Sequence, residues 1–499
     1  MKTMTIRLIR NLFLFLFFLS FLPDAKGETY KLTLEQSIEI AKEKSYTMRM
    51  LGQDLKIAGF NLKSVTSRLK THINMELSLP EFAETVREKA DSTGVFFSIK
   101  QLTYSSGLTI NQPLPTDGSI FIQSGLASFR DYYNGTLSSN LSTRVGFRQP
   151  LDALYGYNSI KTAIKNAELA YERAEKTLKR SELELISRVS RSYYSLLSFQ
   201  KSAEIAMLNL ERQTEAYEIS KNKYEAGLIR EVDALQMEVD LAEAQSNYDM
   251  ELLNQSSALN TFKDLIGIEL NDSVILSSEL DYKIVFVDPE KAVKLALENR
   301  SEIREREINI EMLKLDIKRQ KAQGMVRGNI NAFFEKVGIS SSLTDMNVFN
   351  AIDRSYNSFT NSPYSYGVGF TVSIPIFDWG ENRALVRAAE ARMYQSTLDK
   401  EDYQRNIETE VRNLVGSISN TLKRLQLLEK NVAVAEKSFE ITLQRFSDGD
   451  IDSQALALER TRLNTAYISH LGAYISYQLT LTDLMRATLY DFQNDTSSN

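Results

Sequence analysis

The chain has 499 residues, of which 43% are hydrophobic and 25% are charged, with a net charge of -6 and no cysteine. This composition excludes a disordered chain and a bundle of transmembrane helices, and it offers no basic surface for nucleic acid. Disulfides and thiolate metal sites are excluded as well, and the two histidines, His72 and His470, lie far apart in sequence. We therefore expect neither an enzymatic activity nor a cofactor.

The N-terminal segment, residues 1–27, is predicted to be a secretory signal peptide. MKTMTIRLIRN is basic, LFLFLFFLSFL is apolar, and small residues precede a cleavage point after Gly27. The alternative is a membrane anchor, but the apolar run is shorter than the roughly 20 residues that a spanning helix needs. Export is therefore predicted, and any membrane crossing by the mature chain would have to use strands.

Long helices are predicted in two proline-free stretches that are rich in good helix formers. Apolar residues in the first stretch recur at alternating spacings of four and three, at Ile160, Ile164, Ala167, Tyr171, Ala174 and Leu178. This heptad pattern predicts coiled-coil packing. The predicted long helices are 156–226, 231–267, 380–446 and 452–490, and shorter helices are predicted at 33–70 and 289–325. A helix over 156–226 would be about 105 Å long and needs lateral partners along its length.

Between the helices the hydrophobic period changes to two, which predicts strands. The clearest strand is 364–376, and the others are predicted at about 71–81, 141–151 and 327–337. A soluble sheet with one buried face also alternates, but the length and the aromatic ends of 364–376 favour a tilted membrane strand. An extra hairpin region, about 94–130, is interrupted by prolines and glycines. We predict that it lies outside the barrel wall, and the alternative is a wider barrel of about eighteen strands.

The chain also repeats itself. LTLEQSIEIA, beginning at Leu32, resembles VDPEKAVKLA, beginning at Val287, and the sequence Val-Gly-Phe occurs in a strand of each half. The predicted organisation is listed in chain order: a first repeat 28–267, a linker 268–288, a second repeat 289–490 and a polar tail 491–499.

Four strands cannot close a barrel, and an open sheet edge is not viable in lipid. Three copies would supply twelve strands and a ring of helices too wide to fill its own centre. The predicted fold is therefore a mixed α/β membrane protein, with a trimeric twelve-stranded β-barrel, four strands per protomer, continued by an α-helical barrel. The alternative is a periplasmic coiled-coil tether or adaptor-like protein without a pore.

Three motifs carry a resemblance to a known family. They are the helix-turn-helix segments Tyr224–Leu235 and Phe446–Ala455 and the strand-to-helix junction Pro375–Gly380. With the repeat, they make the chain resemble the TolC family of outer-membrane efflux proteins, the outer membrane factors. The resemblance implies a homotrimer in outer-membrane lipid with its helices in the periplasm, where the linker and the tail join an equatorial collar. It implies an exit duct for efflux or type I secretion, docked to a periplasmic adaptor and served by an inner-membrane RND or ABC transporter.

The same resemblance implies where the adaptor docks and where the duct closes. The adaptor-docking tips would be Gly227, Leu228, Gly449 and Asp450. The periplasmic gate would involve the positions of Asp233, Phe446, Ala455 and Leu458, and the charges of this sequence add Arg230 and Asp452. Asp233 matches a family gate residue, whereas Phe446 stands in place of the family's Tyr, and Ala455 and Leu458 in place of its carboxylates. We therefore predict a rewired gate, in which Arg230 pairs with carboxylates of the second tip or Leu458 constricts the pore.

Overall fold

The computed structural model describes residues 29–88, 94–276, 280–342 and 347–497, so the predicted signal peptide lies outside the described residues. The chain divides into two compact units. The first unit contains 29–52, 178–301 and 404–497, and the second contains 53–177 and 302–403.

The helices of the described residues, in chain order, are α1 Leu34–Lys44, α2 Tyr46–Ser67, α3 Asp152–Tyr155, α4 Ser159–Glu225, α5 Glu231–Ile266, α6 Pro289–Asn299, α7 Ser301–Gln323, α8 Val348–Asn361, α9 Glu381–Asp448 and α10 Ser453–Thr488. The strands are β1 Thr29–Leu32, β2 His72–Glu88, β3 Phe96–Pro113, β4 Ser119–Asp131, β5 Thr136–Pro150, β6 Ser273–Leu276, β7 Arg327–Ser342, β8 Ser365–Ser373, β9 Tyr490–Asp491 and β10 Thr496–Ser497.

The second unit is built on an antiparallel six-stranded sheet with the order β2-β3-β4-β5-β7-β8. The prediction of four strands in the sheet of each protomer is therefore wrong, because this sheet has six. The predicted extra hairpin is β3 and β4, and it lies between β2 and β5 instead of outside the sheet. The physical reason is pairing: Gln101 to Pro113 pair with β4, and Ser119 to Asp131 pair with β5, so their backbone groups are satisfied within the sheet.

Helix α8 covers one end of one sheet face. It lies over small residues of β5 and β7, where Ser139 and Ser355 are buried and their hydroxyl oxygens are 3.4 Å apart. At Gly338 any side chain would overlap the backbone of Ser355, so this close approach requires a glycine. The Nζ of Lys336 donates to the carbonyl of Thr360 near the end of α8 at 3.0 Å. The charge of Lys336 is thus held by the helix.

The first unit contains most of two long helical hairpins, with shorter elements packed on them. Corresponding helices of the two hairpins have nearly equal lengths. The first helices, α4 and α9, have 67 and 68 residues, and the second helices, α5 and α10, have 36 each. Strands β1 and β6 form a parallel pair, which places part of the predicted linker in a small sheet. Linker residues 281–285 lie on α10, where the hydroxyl of Tyr477 donates to the carbonyl of Lys283 at 2.8 Å.

The two helices predicted to open the repeats are each broken once. Ser45 separates α1 from α2, and Arg300 separates α6 from α7, with extended ψ values of 139° and 119°. The Ser45 hydroxyl accepts a hydrogen bond from the backbone N–H of Met48 and so caps the following helix. At Arg300 the guanidinium donates to Glu410 of α9 at 2.8 Å. Sequence periodicity did not reveal these breaks, because apolar residues continue on both sides of each.

Candidate functional site: the hairpin tips and the exposed sheet face

The first hairpin turns at Gly227, between α4 and α5. Its φ of +73° is left-handed, a conformation that glycine adopts without strain. The backbone N–H of Leu228 donates to the carbonyl of Lys223 at 2.8 Å, which closes the end of α4 in a Schellman-type cap. Leu228 follows with 73% of its surface exposed. The turn therefore presents an apolar side chain to solvent at its tip.

The second hairpin turns at Gly449 in the same way. Gly449 has a φ of +87°, and the backbone N–H of Asp450 donates to the carbonyl of Arg445 at 2.9 Å. Asp452 caps α10, since its carboxylate accepts a hydrogen bond from the N–H of Ala455 at 2.9 Å. The two tips thus share one backbone design, although the first carries Leu228 and the second carries carboxylates.

Behind the tips, an apolar cluster joins the two hairpins. We call it the tip cluster, and its buried members are Ala216, Met237, Phe439, Phe446, Leu456 and Leu463. These residues come from α4, α5, α9 and α10, so every helix of both hairpins contributes. Lys223 supports the cluster, because its Nζ lies 4.6 Å from the ring centre of Phe446 and donates to the carbonyl of that residue. Phe446, predicted as a gate residue, is therefore packed inside the protomer.

An ion pair also links the hairpins. The guanidinium of Arg460 on α10 lies 3.2 Å from the carboxylate of Asp240 on α5, and the side chains are only 18% and 11% exposed. Nearby, the amide of Asn464 donates to Asn209 of α4 at 2.8 Å. This pair was not predicted from the sequence. Its only signal was that Asp240 follows Asp233 by two helical turns, a spacing that places both on one helix face.

The predicted gate cation has a different partner from the expected one. The guanidinium of Arg230 donates to both carboxylate oxygens of Asp233 on its own hairpin, at 3.0 and 3.1 Å. This hydrogen bond lowers the pKa of Asp233. Within the protomer, Arg230 is thus paired with Asp233 one turn away, and Asp452 serves as a helix cap. The pairing of Arg230 with carboxylates of the second tip stays a prediction. Ala455 is half-buried, whereas Leu458 is 53% exposed.

The sheet of the second unit carries two contrasting rows of side chains. One set of residues paired directly across all six strands is apolar. We call this set the apolar row: Ile73, Ile110, Ile122, Val145, Phe334 and Tyr366. The next position is the polar row: Asn74, Thr109, Gln123, Arg144, Glu335 and Ser365. Successive side chains on a strand point to opposite faces, so the rows lie on opposite sides of the sheet. The sheet has one apolar and one polar face.

The apolar face is largely uncovered beyond α8. Val368 of β8, on the same face, is 80% exposed, and the large side chains around it are exposed as well. On the polar face, Arg144 lies 3.7 Å from Glu335 and 4.4 Å from the ring centre of Phe333. A contiguous exposed apolar surface of this kind marks a site of contact with lipid or with another protein.

Two further properties of the described residues bear on function. In the segments that the structure describes, no cluster of acidic and histidine side chains has the makings of a metal site. None of the described helices combines the length and the apolar character that crossing a bilayer requires.

Comparison with known proteins identifies the family. The sequence pattern described as "Outer membrane efflux protein" matches residues 122–268 and 292–488. The chain is 23% identical to the alkaline protease secretion protein AprF of Pseudomonas aeruginosa over 69% of each chain. It is also 23% identical to the outer membrane protein TolC of Vibrio cholerae, over 70% of this chain and 77% of that protein. The solved outer-membrane channel OprN has the same fold, with a TM-score of 0.67, 16% identity and coverage of 92% of this chain and 90% of that one.

These similarities place the chain in the class of outer-membrane channels with a helical domain. The chain belongs to the outer membrane efflux protein family, a family of transport proteins. The sequence-based prediction of an outer-membrane exit duct is thereby confirmed.

Proposed function

We propose that three copies of the chain assemble into one duct, with their sheets joined into a closed barrel in the outer membrane and their helices in the periplasm. The observation that carries this proposal is the sheet, in which β2 and β8 are edge strands and the apolar face is exposed. An open edge is not viable in lipid, so the edges must pair with those of neighbouring copies. Outer-membrane lipid then covers the apolar face.

The two halves of the chain would arise from a duplication. The matched lengths of α4 with α9 and of α5 with α10 support this, as do the equivalent breaks at Ser45 and Arg300. Three copies would then place six similar hairpins around one axis, with the described parts of the linker and the tail in a collar around them. A periplasmic tether without a pore would not explain why the apolar face of the sheet is exposed.

A periplasmic adaptor would dock on the hairpin tips at Gly227, Leu228, Gly449 and Asp450. The shared turn geometry and the exposed Leu228 support this assignment, because an exposed apolar side chain on a rigid turn is suited to packing against a partner. The inner-membrane partner would be an RND or an ABC transporter. The name of the relative AprF refers to secretion of a protease, which favours a polypeptide cargo.

Closure of the duct would occur near the same tips. Arg230, Asp233 and Asp452 would supply polar contacts between neighbouring copies, and the exposed Leu458 would narrow the pore beside Ala455. Phe446 would act indirectly, by holding the two hairpins of one protomer together as part of the tip cluster.

Extraction from outer membranes tests the proposal. We expect a trimer that dissociates only on heating and that conducts ions when inserted in a planar bilayer. Leu228→Asp should weaken adaptor binding in a pull-down without dissociating the trimer. A soluble periplasmic monomer without conductance would instead support a tether.

A further inference from the structure

The hairpin β3–β4 continues the sheet without interruption. The pairing of β3 with β4 and that of β4 with β5 each run through 13 consecutive residues of β4. The pairing of β2 with β3 has a single irregularity, between Ser78 and Glu81. A hairpin that merely decorated a barrel would not need to match both neighbours along its whole length.

The side chains of the hairpin match those of its neighbours in chemistry as well as in register. Ile110 and Ile122 belong to the apolar row, and Leu108 and Ile120 are exposed on the same face. Thr109 and Gln123 belong to the polar row. Alternation that agrees across all six strands is the pattern of a barrel wall with lipid on one side and water on the other.

The number and direction of the strands permit closure. Six antiparallel strands alternate in direction, so β2 of one copy and β8 of the next run antiparallel and are able to pair. Even the shortest strand, β8, has 9 residues, within the roughly 9–11 that a membrane strand needs.

We infer that β3 and β4 are part of the membrane wall and that the barrel has eighteen strands, six from each of three copies, with a correspondingly wide mouth. This inference rests on the proposed trimer. Because barrel diameter grows roughly linearly with strand number, eighteen strands give a diameter about 1.5-fold that of twelve. Barrels of about 16–18 strands hold an open aqueous channel. The polar row lines this channel, with Arg144 and Glu335 facing the water.

Paired cysteine variants test the position of β4, and the chain suits them because it contains no cysteine. Ile122→Cys and Gln123→Cys place thiols on opposite faces of β4. Val368→Cys and Gly369→Cys do the same on β8, the control strand. In the assembled protein in outer membranes, a charged, membrane-impermeant maleimide should label the 123 and 369 variants, and labelling should be lost in the 122 and 368 variants.

The possible outcomes separate the inference from the proposed function. Equal labelling at 122 and 123, with the contrast retained at 368 and 369, would place the hairpin in water on both faces and overturn the inference. Loss of the contrast at 368 and 369 as well would mean that the sheet does not cross the membrane, and the proposed function itself would fail.

A second measurement reports the width directly. Deleting Phe96–Asp131 removes an even number of strands, so β2 and β5 keep their directions and faces and are able to pair. Ser142→Cys places a thiol on the polar face in both proteins, and polyethylene-glycol maleimides of increasing size are added from outside. The largest reagent that still labels this thiol should have a diameter about 1.5-fold larger for the full chain than for the deletion variant. An equal size limit in both trimers would overturn the inference.

Discussion

The tip cluster buries large apolar side chains within the protomer, whereas one face of the sheet exposes them. At the tips, Phe446 and its neighbours from four helices bury one another within a single protomer. In the sheet, Val368 and most of the apolar row are exposed on a face that the described part of the protomer leaves uncovered beyond α8. The hairpins therefore complete their own core, whereas the sheet depends on lipid and on other copies of the chain.

The largest effect should come from opening the tip cluster. Phe446→Ala removes a fully buried ring and should cost about 3–5 kcal/mol of unfolding free energy per protomer, because the cavity cannot collapse completely. The thermal unfolding of the helical circular-dichroism signal measures it. Leu228→Ala, at the exposed tip, serves as the control and should leave the melting temperature unchanged. A small effect of Phe446→Ala would mean that the hairpins are not joined within the protomer.

A charge on the apolar sheet face should have the next largest effect. Val368→Lys should destabilise the membrane-inserted state by roughly 2–4 kcal/mol, because the ammonium group would face hydrocarbon. In water the same substitution at an 80% exposed position would be nearly neutral. The yield of heat-resistant trimer reports the difference, and Thr371→Lys on the opposite face is the matched control. Equal yields for both variants would remove the contrast between the two faces.

A smaller, pH-dependent effect is expected at Glu410. Burial raises the pKa of Glu410, but the hydrogen bonds and charges of Arg300 and Arg486 lower it by more. The pKa therefore lies below the ordinary 4.5. Because its pKa is lowered in the folded state, ionised Glu410 stabilises the fold above about pH 4.5. This stabilisation is lost as the pH falls through the pKa of the folded state. Glu410→Gln should therefore flatten the acid limb of the melting-temperature profile. An unchanged acid limb would show that the network contributes nothing.

The smallest effects should arise at the exposed gate residues. Leu458→Ala should raise single-channel conductance by widening an apolar constriction, while stability stays unchanged because the side chain is largely exposed. Arg230→Ala should have the weaker effect, since its guanidinium is already bound to Asp233 and is solvent-exposed. A larger rise for Arg230→Ala would instead indicate a polar lock between copies.

The sequence alone determined the local features of the protein. Composition and heptad spacing predicted the four long helices to within a few residues, and the glycines at 227 and 449 marked the two turns. The alternation of apolar and polar residues identified the strands of 364–376 and of 141–151. These features depend on neighbours within a few residues along the chain, so local patterns suffice to predict them.

Only the tertiary structure decided how these pieces combine. The prolines and glycines of 94–130 suggested an appendage, but row-by-row pairing placed β3 and β4 inside the sheet. Phe446 packs in the tip cluster, and Arg230 donates to Asp233 on its own hairpin. The order of the strands and the members of the tip cluster depend on contacts between residues far apart in sequence. Local sequence patterns do not specify which of these residues come together.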